Sequence, residues 1–159
     1  MRGDKMHSLL RLFVGLFLVL FVSTSFAFPS NPTNDTNPKF KQAEDYINQK
    51  EYNKAIPLLN EIVKDDPQNA DAYNYLGYSY RQAGKLDDAY KYYQMALKID
   101  PNHKGANAYL GELYLMKNDL PKAEENLSVI KKACPSGCVE YDTLKQAVDD
   151  YKKTHKSIP

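Results

Sequence analysis

Two cysteines, Cys134 and Cys138, flank a Pro-Ser-Gly turn near the carboxyl end of a 159-residue chain. By residue type they are the pair best suited to redox or soft-metal chemistry. In an oxidising compartment, two cysteines this close across a turn predict a disulfide that contributes about 2 kcal/mol by loop entropy. A redox-active or metal-handling pair is the alternative. The gap is three residues rather than the two of thioredoxin-like sites, and Val139 in place of histidine removes haem attachment. A metal would need further ligands, and beyond His7 in the amino-terminal segment the chain offers only His103 and His155. No glycine-rich phosphate loop, nucleophile elbow or paired-histidine zinc motif occurs. The sequence therefore predicts neither catalysis nor a cofactor.

The remaining residues with chemistry to offer recur at a fixed interval, and that interval is what must position them. Over residues 70–103, Tyr73, Leu76, Gly77, Tyr80, Ala89, Tyr93, Ala96 and Pro101 occupy places 4, 7, 8, 11, 20, 24, 27 and 32 of a 34-residue unit. A shift of 34 residues backward aligns Ala43, Tyr46, Ala55, Leu59, Ile62 and Pro67 of a unit over 36–69. The same shift forward aligns Leu110, Gly111, Tyr114, Ala123, Leu127, Ile130 and Pro135 over 104–137. Each half-unit carries apolar residues three and four apart, the stripe of an amphipathic helix. Gly77 in mid-helix predicts close approach of the partner helix, with Ala89 and Ala96 serving the same end. Gly84 predicts the turn between helices, and Asp100-Pro101 the end of the unit. Asp119 is an expected helix cap followed by Pro121 in the first turn, and Pro57 is expected near the start of its helix.

This spacing resembles the tetratricopeptide repeat, and the likeness extends over roughly 36–151. The fold expected is all-α, with three helical hairpins stacked as a solenoid. A final helix over 138–155, with Tyr141, Leu144, Val148 and Tyr151 on one face, is expected to cover the last hairpin. The resemblance implies a protein-interaction scaffold that has no catalysis of its own.

In such a stack the first helix of each hairpin lines the concave face. Places 2, 5, 9, 12 and 13 are expected to face it, with Phe40, Glu44 and Ile47 in the first unit. The second unit contributes Asn74, Tyr78 and Arg81, and the third Glu112, Leu115 and Met116. Rings and a thioether beside an amide, a guanidinium and carboxylates describe a groove for a peptide or protein partner. Relatives of the chaperone-cofactor kind hold acidic carboxy-terminal peptides with lysine and asparagine at places 5 and 9 of the first unit. Phe40 and Glu44 stand there instead, so that ligand class is not implied.

Residues 1–27 carry Arg2, Lys5 and Arg11, then an apolar run over 12–22, then Ser25-Phe26-Ala27. This is the pattern of a cleaved export signal, with an uncleaved membrane anchor as the alternative. Residues 28–37 (FPSNPTNDTN) read as a linker. Cleavage after Ala27 removes Arg2, Lys5, Arg11 and Asp4 and takes the formal charge from +1 to −1. Neither value supplies a basic field for nucleic acid. The ending CPSGCVEYDTLKQAVDDY looks like that of small exported bacterial repeat proteins. Action in the periplasm or outside the cell is the expectation.

Overall fold

The structure, a computed structural model, describes residues 37–155. The expected signal segment and all of the linker but Asn37 lie outside the described residues. Among the described residues seven helices follow one another: α1 (Pro38–Asn48), α2 (Tyr52–Asp65), α3 (Ala70–Gln82), α4 (Leu86–Ile99), α5 (Lys104–Met116), α6 (Leu120–Ala133) and α7 (Val139–Thr154). Among the described residues there is no strand. The helices form three antiparallel hairpins, α1/α2, α3/α4 and α5/α6, with α7 packed on both α5 and α6.

Local signals set the helix ends. Asn37 Oδ1 accepts from the amides of Lys39 and Phe40, with Pro38 supplying a preset φ at the first position. Asn69 caps α3 through the amide of Ala72, and Asp119 caps α6 through that of Lys122. The turns within the three hairpins share one backbone device. Lys50, Gly84 and Asn118, one repeat apart, have φ of 60°, 75° and 59°. Only Gly84 adopts that left-handed conformation without steric penalty. Pro57 differs from the expectation. Because α2 starts at Tyr52, Pro57 lies one and a half turns inside the helix, beyond the amides that go unpaired anyway.

The core runs through all three hairpins. Phe40, Ala43, Ile47, Leu59, Ile62 and Leu76 pack where α1, α2 and α3 meet; Ala89, Tyr93, Leu110 and Leu113 join α4 to α5; Ile130, Leu144 and Val148 join α6 to α7. Gly77 is a point of close approach, as its type predicts, but to a side chain. A methyl group there would lie 2.5 Å from the Tyr93 ring of α4. At Gly111, one repeat on, the space is taken by Leu144 of α7, which a methyl group would meet at 2.6 Å. The terminal helix thus continues the register of the first helices and uses Leu144 as its key. Lys145 of α7 stands at the place of Ala43, Gly77 and Gly111, half-exposed and paired with Asp149 at 2.6 Å.

Candidate functional site

Successive first helices lie side by side, so a residue on α3 has a neighbour about one repeat away on α1 and another on α5. Three polar ties follow. The Tyr75 hydroxyl donates to Glu44 Oε1 at 2.9 Å. Arg81 Nη1 donates to Glu112 Oε2 at 2.6 Å. His103 accepts the Ala106 amide at Nδ1, capping α5, so its proton lies on Nε2, which donates to Asp71 Oδ1 at 2.9 Å. All three ties link residues 31 or 32 apart in sequence; the first two run from one repeat to the next, and the third joins α3 to the cap of α5.

Around the central tie lies a shelf of tyrosines. The Tyr78 and Tyr109 rings are 5.1 Å apart, and Tyr52 meets Tyr78 edge-on at 6.1 Å. The Arg81 guanidinium lies 5.6 Å from the Tyr78 ring centre and 5.3 Å from that of Tyr109. Such cation–ring contacts contribute about 0.5–1 kcal/mol at exposed sites and more when desolvated. Burial works against the Arg81 charge, but Tyr93 and Glu112 more than offset it and its pKa rises. The Tyr109 phenol is pushed up by burial, then by Tyr78 and the negative charge of Glu112. Tyr75 is driven up the same way by burial and by Glu44. These phenols stay protonated and offer hydroxyl donors and apolar faces, which is recognition chemistry rather than acid–base chemistry.

The structure separates the sequence-derived groove residues into two groups. Glu44, Tyr78, Arg81 and Glu112 are partly accessible, and Met116 is 57% exposed at the end of α5. Phe40 does not face the groove. It is 1% exposed and meets the Tyr75 ring edge-on at 5.3 Å. Asn74, 4% exposed, is also interior, its amide nitrogen 3.2 Å from where a side chain on Gly105 would begin. Ile47 and Leu115 are buried as well. The reason is geometric: places 5 and 12 point at the neighbouring first helix, so each inner helix is covered on three sides and its buried stripe is wider than one amphipathic face. The residues missed are Tyr75 and Tyr109, both at place 6, and Tyr52 at the start of α2. The near-repeat spacing of Arg81 and Glu112, opposite charges 31 apart, was the available signal.

Cys134 and Cys138 close the α6–α7 junction with their sulfurs at disulfide distance, 2.06 Å. No group of three or more His, Cys, Asp or Glu residues among those described is arranged to hold a metal ion. No described helix is long and apolar enough to cross a membrane.

Two family models, each described as tetratricopeptide repeat, match residues 40–104 and 80–148. The chain belongs to the tetratricopeptide-repeat family. It is 32% identical over 113 residues to the Arabidopsis thaliana chloroplastic tetratricopeptide repeat domain-containing protein PYG7, covering 67% of this chain and 38% of that relative's length. In three dimensions it is similar to the Sgt2 tetratricopeptide-repeat domain from Aspergillus fumigatus, with a TM-score of 0.67 at 22% identity over 79% of this chain and 81% of that one. It is also similar to PcrH, solved in complex with the chaperone binding region of PopD, with a TM-score of 0.65 at 14% identity over 82% and 100% of the two chains. At these identities the likeness establishes the fold of the repeats.

Proposed function

We propose that this tetratricopeptide-repeat chain is a non-catalytic binding module that holds an extended segment of a partner protein along the face formed by α1, α3, α5 and α7. The observation that carries the reading is the shelf of Tyr52, Tyr78 and Tyr109 around the Arg81–Glu112 pair. Large rings, held rigid by one another and left partly open, bind at low entropic cost, and tyrosine and arginine dominate binding hot spots. The complex of PcrH with a region of PopD is a case in which a neighbour of the same fold takes a protein segment. Site-specific photocrosslinking tests the reading. A crosslinker at Gln82, at the end of α3, should trap the partner, and one at Met95, on α4, should not. Tyr78→Ala should abolish the Gln82 product while the helical signal persists. Equal trapping from Met95 would move the interaction off this face.

The reading extends to place and to the cysteines. Residues 1–27 support export to the cell envelope, where an oxidising environment would join Cys134 to Cys138 as a structural staple for α7. Thiol titration of the native and denatured protein, with amino-terminal sequencing of the material from cells, tests both points. Free thiols in the exported protein would remove the staple, and a first residue of Met1 would replace cleavage with anchoring.

A further inference from the structure

Resting on the groove reading, we infer that Tyr93 of α4 is a positioning residue for the site. Its hydroxyl waits beneath the tyrosine shelf and accepts from the Arg81 Nε–H once a partner segment settles on the rings, which couples binding to the core of the middle hairpin. Tyr93 is 0% exposed and touches no ligand itself; it acts through Arg81. Three helices bring the two side chains together. Gly77 and Arg81 lie one turn apart on the same face of α3. The Tyr93 ring fills the space over Gly77, 2.5 Å from where a methyl group would stand, so the missing side chain lets a ring from α4 reach this face of α3. Both side chains also meet Tyr109 of α5. Its ring centre is 6.0 Å from that of Tyr93 and 5.3 Å from the Arg81 guanidinium carbon.

The layer they form under the shelf is polar and incomplete. Arg81 commits Nη1 to Glu112 at 2.6 Å, but its Nε and the Tyr93 hydroxyl are buried with no hydrogen-bond partner among the described residues. They are near enough to act on one another. Tyr93 helps to hold the Arg81 charge against burial, and Arg81 opposes the rise that burial gives the Tyr93 phenol. A charged donor and a neutral acceptor that lie close but out of bonding geometry in the interior cost stability, and native interiors leave few such groups. The arrangement is a contact open in the free protein and closed in the complex. Tyr93 is fixed by its packing at Gly77 and Tyr109, so the movement that closes the contact falls to Arg81. With its side chain 15% exposed, Arg81 is also the member that a ligand reaches. A segment lying across Tyr78 and Tyr109 excludes water from the layer and so strengthens the bond formed there.

The hydroxyl is tested by removing it. Tyr93→Phe keeps the ring over Gly77 and deletes only the oxygen. The probe is a dodecapeptide selected from a displayed random library on the full-length chain, with binding read by fluorescence anisotropy and stability by urea unfolding. Tyr93→Phe should unfold at the same urea midpoint, because the hydroxyl it deletes makes no bond in the free protein. It should nevertheless bind the peptide about tenfold more weakly, the loss expected for a hydrogen bond to a charged group. In Arg81→Lys, which keeps the charge and lacks the Nε–H, adding Tyr93→Phe should change the affinity no further. The Arg81 Nε–Hε signal in a heteronuclear NMR spectrum should exchange more slowly with water when the peptide binds the native chain, and should not do so in Tyr93→Phe. A lowered midpoint with affinity intact assigns Tyr93 to the core alone and overturns the inference. If Tyr93→Phe binds normally while Tyr78→Ala does not, the inference falls and the groove reading stands. Binding that is indifferent to Tyr78→Ala overturns both.

Discussion

In the middle repeat the space above Gly77 is filled by the Tyr93 ring of the same hairpin, whereas one repeat later the space above Gly111 is filled by Leu144 of the terminal helix. The first arrangement is internal to a repeat and buried on every side. The second depends on a helix that follows the last hairpin and whose outer face is open to water. The two glycines are indistinguishable in sequence, yet one belongs to a closed unit and the other to an interface. The third hairpin is therefore completed by α7, and the two share one packing problem.

Substitutions at these two places separate the regions. Tyr93→Ala should have the largest effect, about 3–5 kcal/mol, because it empties a buried ring site in the centre of the array; chemical denaturation should show a single transition at much lower denaturant. Leu144→Ala should cost about 2–4 kcal/mol but act locally, with amide exchange in α7 and α5 accelerating before that in α1 to α4. If α1 and α2 lose protection equally, the array is one cooperative block and the contrast fails. Gly77→Ala comes next. Its methyl meets a ring with nowhere to go, and overpacking of about 1–3 kcal/mol should exceed the roughly 1 kcal/mol gained from helix propensity. Gly111→Ala should be milder, since α7 can move outward, and its mark should be faster exchange in α7 alone. A Gly111→Ala penalty equal to that of Gly77→Ala would show that α7 is held as firmly as an inner helix.

The smallest effect concerns the turns. Lys50→Gly should stabilise the protein by about 0.5–1 kcal/mol and Gly84→Ala should destabilise it by a similar amount, both read from thermal unfolding. The two share one left-handed backbone place, and only one of them carries glycine.

Architecture and site differ in how far residue types alone reveal them. The 34-residue spacing of Gly77, Tyr80, Tyr93 and Pro101 with their counterparts gives the helical hairpins directly, because apolar periodicity and breakers are local properties. Lys50 and Asn118 in left-handed turns were not legible from residue type, though their register with Gly84 contains the information. The site was half legible. Tyr78, Arg81 and Glu112 lie together across α3 and α5, while Phe40 and Asn74 turned inward. Polarity alone does not say which flank of a helix meets its neighbour, and asparagine buried beneath a glycine looks the same in sequence as asparagine in water. Tyrosine hides its side in another way: with a ring to bury and a hydroxyl to solvate, Tyr75 and Tyr109 satisfy the pattern of core and groove alike.

Lys145 carries a consequence for how this chain can grow. Each preceding first helix presents Ala43, Gly77 or Gly111 at that place; Gly77 leaves room for Tyr93 of its own hairpin and Gly111 for Leu144 of α7. A lysine tied to Asp149 offers a bulky charged surface instead, which a helix seated at that place of α7 would have to displace. Packing a further helix on α7 in the way α7 packs on Gly111 would call for a small residue at position 145.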